Sequence, residues 1–135
     1  MRDLKYLFAY TVPLAAYVSF QSTGIWTYSL VFYAFLIIPL LDIIAGESSE
    51  NLTEEDVSYK KTKWVFDLML YLNVPLVFGF LFLAFFNVAT QDYSTLEYVG
   101  LAISGGIFLA TNGINVAHEL GHRKAYVDRF ISKCL

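Results

Sequence analysis

The sequence predicts an all-α integral membrane protein, and three observations carry that prediction. Hydrophobic residues fill 57% of the 135 positions and charged residues only 16%. The charges gather in clusters and leave uncharged runs of about 18 residues or more, the length that marks a bilayer-spanning helix. The nine Lys and Arg fall in only three places: Arg2 and Lys5; Lys60, Lys61 and Lys63; Arg123, Lys124, Arg129 and Lys133.

Four apolar segments are expected, in a single domain. The first covers about residues 4–20 and contains Pro13, which a membrane helix tolerates because its neighbours re-satisfy the freed carbonyl. It follows Arg2 and Lys5 as a signal peptide would, but no small-residue cleavage site precedes the next apolar run, so it reads as a retained span. Gln21-Ser22-Thr23-Gly24 makes a turn. The second segment, about 25–45, holds Pro39 and a lone Asp42. Residues 46–63 form a polar loop, with Glu47, Glu50, Glu54, Glu55 and Asp56 ahead of Lys60, Lys61 and Lys63. Its acids read as a solvated surface. Within it, Thr53 followed by three acids is a helix-start signal, so a short surface helix is expected. The third segment runs over about 64–88 and contains Asp67 and Pro75. A short link leads to the fourth, about 96–120, whose length of about 37 Å at 1.5 Å per residue crosses a bilayer with some tilt.

With four spans, the three basic clusters share one side of the membrane, and the links around Ser22 and Asp92 carry no Lys or Arg. The positive-inside rule assigns the basic side to the cytoplasm. Trp26 and Trp64 sit at span ends, where amphipathic rings favour the interface. The net charge of −3 excludes a nucleic-acid footprint. Cys134, the only cysteine, excludes an internal disulfide and a cysteine-based metal cluster.

The chemistry is expected at the end of the fourth segment. The only two histidines, His118 and His122, lie there four apart with Glu119 beside the first. Residues i and i+4 of a helix stack on one face, so the two imidazoles reach a common metal region. At about 100° per residue, Thr111, Asn115, His118 and His122 form one polar stripe, expected to face the bundle interior because polar groups against lipid are costly. A separate row of small residues, Ala102, Gly106, Ala110, Gly113, Ala117 and Gly121, is expected to permit close helix packing. The bland alternative makes the histidines interfacial residues bonded to headgroups. Asp42 reads as an ion-pair partner, a cap or a support for a ligand, and Asp67 as a solvated or interfacial charge. Thr111 and Asn115 read equally as interhelical hydrogen-bonding residues or as supports for ligands. The aromatics of the second and third segments are lipid-facing or core material by default, with a substrate channel as the sharper reading.

Two chemistries use this box. His118-Glu119-Leu120-Gly121-His122 matches the His-Glu-x-x-His pattern of zinc metalloproteases, in which the glutamate is the general base. An intramembrane protease of that kind needs a third ligand, for which Asp42 is the candidate. The wider run Asn115-Val116-Ala117-His118-Glu119-Leu120-Gly121-His122-Arg123-Lys124 resembles the first histidine box of the membrane alkane 1-monooxygenases, His-Glu-Leu-x-His followed by a basic residue. The stretch from Asp42 to Asp56, with Asp-x3-Gly-Glu and an Asn soon after, resembles that family's loop before the third span. The resemblance covers essentially the whole chain as an N-terminal portion.

The resemblance implies a six-helix protein of the inner membrane with two irons in a histidine-rich cytoplasmic site. It implies insertion of one oxygen atom of O2 into the terminal methyl of an n-alkane, with electrons from NADH through a reductase and rubredoxin. His118 and His122 match the family's first pair of iron ligands, whereas no role carries over to Glu119. The chain has no histidine after His122, and two imidazoles do not hold two irons. The expectation is therefore a fragment, inactive alone. A desaturase-like di-iron enzyme and a small structural membrane subunit are the further readings.

Overall fold

The computed structural model describes residues 8–45 and 64–135. The polar loop at 46–63, its expected short helix and the basic residues at 2, 5, 60, 61 and 63 lie outside the described residues. Those described form helices and no strand. α1 is Thr11–Gln21, α2 Gly24–Ala45, α3 Trp64–Thr90, α4 Thr95–Gly121 and α5 Tyr126–Cys134. α2, α4 and Phe66–Thr90 of α3 are long and apolar enough to cross a membrane. The 11 residues of α1 reach about 17 Å, roughly half of a hydrocarbon core. Three helices of spanning length, rather than four, are therefore present among the described residues.

Local chemistry explains where the helices begin and bend. Ser94 caps α4 in a reciprocal box: Glu97 N–H donates to Ser94 Oγ at 3.4 Å, and Ser94 N–H donates to Glu97 Oε2 at 2.7 Å. The same carboxylate accepts Gly24 N–H through Oε1 at 2.5 Å, which fastens the start of α2 to the start of α4. Gly24 has φ +63, a turn geometry that suits a residue without Cβ. In α2 a widened π turn at Tyr33–Ile37 ends two residues before Pro39. Proline has no N–H to bond back to Phe35 and its ring crowds that carbonyl, so the regular ladder gives way there.

Hydrogen bonds between helices fix their directions. Tyr28 Oη donates to Leu96 O at 2.8 Å and Ser104 Oγ to Thr27 O at 2.8 Å, so α2 and α4 start at the same end. Asn87 Nδ2 donates to Phe20 O at 2.5 Å, placing the ends of α3 and α1 there too. Tyr10 Oη donates to Met69 O at 2.8 Å, and Arg123 pairs with Asp67, at the opposite end. Successive helices α1 to α4 therefore alternate in direction. α4 is the hub and packs against α1, α2, α3 and α5. Ala16, Phe20, Leu30, Val77, Leu101 and Phe108 form the core, with the Phe80 and Phe108 ring centroids 4.6 Å apart.

Of the row of small residues expected to permit close packing, Gly121 does so and Gly106 and Gly113 do not. A Cβ on Gly106 or Gly113 would meet nothing within 4 Å. One on Gly100 would strike the Tyr28 ring at 2.6 Å, and one on Gly121 would lie 3.0 Å from Ser132 Oγ. Buried positions on α4 recur at Ser104, Phe108, Asn112, Val116 and Leu120, and this face, rather than the row of small residues, meets the core. Phe35, Ile43, Ile44, Phe82 and Phe85 are exposed, an apolar surface that suits lipid and not water. Between α3 and the first half of α4 lies an open apolar cavity of about 550 Å³, floored by Gly105 and Gly106 and walled by Phe80, Ala84 and Tyr98.

Candidate functional site

The site is built on the second half of α4, which is not a uniform helix. A π turn spans Leu109–Ile114, with regular helix over Thr95–Phe108 and Asn115–Gly121. Thr111 Oγ1 lies 2.9 Å from Ile107 O and 3.1 Å from Phe108 O, side-chain bonding that competes with the backbone ladder and bends helices. The extra residue in the turn rotates the following segment. Asn112 faces inward as a result: its Nδ2 donates to Asn73 Oδ1 at 2.8 Å, and Asn73 Nδ2 donates to Met69 O at 2.8 Å. This buried amide chain ties α4 to α3 close to the histidines.

His118 and His122 come together at the end of α4. Their Nε2 atoms are 3.1 Å apart, their ring centroids 4.5 Å apart and their planes inclined at 84°. Imidazole nitrogens bind zinc, a first-row metal, at about 2.0–2.1 Å, so two ligands about a right angle apart have nitrogens about 3 Å from each other. The rings thus have the spacing of two adjacent ligands of one metal ion. Without metal, the same spacing lets one ring donate an Nε2–H to the other.

The predicted polar stripe is not covered by the described residues. Thr111, Asn115, His118 and His122 are all exposed, whereas Asn112, Val116 and Leu120 are buried. The reason is the π turn together with the four-residue spacing of the buried positions, which brings Asn112 rather than Thr111 or Asn115 into the interior. Glu119 is exposed beside the pair. Asp42 is exposed on α2, and among the described residues no group of three His, Cys, Asp or Glu side chains gathers to hold a metal. A zinc site of the protease kind therefore finds no third ligand among them.

Asp67, expected as a solvated or interfacial charge, keeps a side chain 41% exposed and pairs with Arg123. Arg123 Nη1 lies 2.5 Å from Asp67 Oδ1 and 3.9 Å from Asp128 Oδ2. Tyr71 Oη donates to Asp128 Oδ1 at 2.5 Å. Burial alone would lower the Arg123 pKa, but the Asp67 hydrogen bond and the charges of Asp67, Asp128 and Glu119 hold it above its ordinary value. Asp128 is buried, and no local sequence pattern signals it. α5 folds back along α4 through Ser132 Oγ, which donates to Ala117 O at 2.7 Å, and Gly121 leaves room for that contact.

No family model matches the chain. Individual proteins do. Over 106 residues it is 40% identical to the alkane 1-monooxygenase of Ectopseudomonas oleovorans, covering 77% of this chain and 25% of that protein. It is 38% identical over 99 residues to the alkane 1-monooxygenase of Pseudomonas putida, covering 72% of this chain and 24% of that protein. The chain is a homologue of the alkane 1-monooxygenases. Alkane 1-monooxygenase 1 of Alcanivorax borkumensis is a third relative, 32% identical over 118 residues, which are 86% of this chain and 28% of that protein. The chain thus spans about a quarter of the length of these alkane 1-monooxygenases.

Proposed function

We propose that this chain is part of a membrane-bound alkane monooxygenase, to which it supplies the first histidine pair of a di-iron centre. The observation that carries the reading is the His118–His122 pair, with Nε2 atoms 3.1 Å apart at the end of a helix of spanning length. The names of the relatives supply the reaction class. Imidazole is a good ligand for iron and leaves positions free for O2. Iron there would supply the O2 chemistry that puts one oxygen atom on the terminal methyl of an n-alkane.

The chain's own residues present the two rings side by side, on a face that no other described residue closes. The remaining ligands and the cover over the exposed polar face come from elsewhere in the complete enzyme. Electrons come from NADH through a reductase and rubredoxin, as the resemblance implies. We place the protein in the inner membrane with four spans, the first over about residues 4–20, and the histidines on the cytoplasmic side. Arg123, Lys124, Arg129 and Lys133 beside the box support that orientation.

The test is octane oxidation by membranes from a host without its own alkane oxidation, carrying the complete gene and given NADH, reductase and rubredoxin. 1-Octanol is expected, and His118→Ala or His122→Ala should abolish it. Undiminished octanol from His118→Ala would refute the role of the box. The isolated 135-residue chain should make none; octanol from it would overturn the view that it is one part of the centre.

A further inference from the structure

We infer that Asp67, Tyr71, Arg123 and Asp128 form a clamp that positions the imidazole pair, an inference that rests on reading His118 and His122 as metal ligands. The pair sits where a helix is weakest. α4 ends at Gly121, so His122 is the residue at which the helix stops, with φ −79 and ψ −9 and a backbone N–H to His118 O at 3.3 Å. Terminal turns fray unless something holds them. If this one opens, the i,i+4 relation is lost and the rings no longer reach one ion.

Arg123 is the residue after His122, and it is held from two sides. Its guanidinium lies 2.5 Å from Asp67 Oδ1 on α3 and 3.9 Å from Asp128 Oδ2 on α5. Asp128 in turn accepts the Tyr71 hydroxyl at 2.5 Å, and Tyr71 is one helical turn after Asp67. Two points on α3, the end of α4 and the first turn of α5 are thereby joined. The Asp128 side chain is only 7% exposed, and a buried carboxylate needs its hydrogen bond and its cation. A planar guanidinium reaches two carboxylates in different directions, which a single ammonium does less well. Ser132 anchors α5 to Ala117 O, one residue before His118, so the strap closes around the box. A ligand pair is only as well placed as the groups that hold its backbone.

Ni(II) alone is the probe, titrated into the chain in detergent micelles, with amide hydrogen exchange at 118–122 as a second readout. His118→Ala should lose the binding. Asp67→Asn and Arg123→Lys should each weaken Ni(II) by on the order of tenfold, as lost supporting contacts around metal ligands do, and speed exchange at His122. Tyr71→Phe keeps the ring and its packing and removes only the hydroxyl, so it should shift both readouts in the same direction, with exchange speeded more at His122 than in the middle of α3. Binding that depends on His118 yet is unchanged, with unchanged exchange, in Tyr71→Phe and Asp67→Asn would overturn the clamp and leave the metal reading intact. Ni(II) bound by His118→Ala as tightly as by the parent chain would instead overturn the metal reading, and the clamp's role with it.

Discussion

Tyr93, in the link between α3 and α4, buries a phenol whose hydroxyl has no hydrogen-bond partner, the one such side-chain atom among the described residues. Burial first, and then Glu97 and Tyr98, push its pKa up, so the proton stays on an oxygen with nothing to receive it. The ring itself is well used, edge-on to Tyr98 with centroids 5.6 Å apart. Tyr93→Phe keeps that contact and removes the orphaned hydroxyl; it should raise thermal stability in micelles by about 1 kcal/mol, since an unsatisfied buried group costs about that much or more. Gly100 makes the opposite case. There the backbone of α4 passes so near Tyr28 that a methyl would lie 2.6 Å from the ring. Gly100→Ala should destabilise by about 1–3 kcal/mol, the usual range for overpacking, while Gly106→Ala, with open space around it, should melt like the parent.

At the scale of the element, α4 shows what periodicity can and cannot give. The stacking of His118 on His122 follows from the pitch of any helix, so the sequence alone brought those rings together. The direction in which they point depends on phase, and phase is set by a π turn at Leu109–Ile114 that a fixed 100° step does not contain. That is why Thr111 and Asn115 were expected inside and Asn112 was passed over. Deleting Ala110 should shorten the turn to a regular one and rotate everything after it by about 100° relative to α3. The i,i+4 pair would survive, because it lies wholly beyond the turn, but Arg123 would leave Asp67 and Asn112 would leave Asn73. The expected signature is Ni(II) binding that persists, weakened, and that no longer responds to Asp67→Asn. A continued response to that substitution would show that the turn does not set the phase.

Across the whole molecule, the apolar runs were legible because a bilayer demands them, and α2, α3 and α4 occupy the three longest. The ion pair between Asp67 and Arg123 was not, because it joins residues 56 apart and no local pattern encodes it. That pair and the Tyr10–Met69 bond mark one end of the bundle, and the Glu97–Gly24 bond marks the other. The histidines, Arg123, Lys124, Arg129 and Lys133 belong to the first end, so one measurement of sidedness locates them all. Cys134 supplies the reporter: it is the only cysteine of these 135 residues, it is exposed, and it ends α5, the helix that follows the box. If the basic end faces the cytoplasm, a membrane-impermeant maleimide should leave Cys134 unlabelled in intact spheroplasts and label it in inside-out vesicles. Detergent-solubilised protein, which exposes both faces, should label fully and serve as the reference. Labelling in spheroplasts but not in inside-out vesicles would place the histidine pair outside, where cytoplasmic electrons do not reach it, and would end the proposed route from NADH to the site.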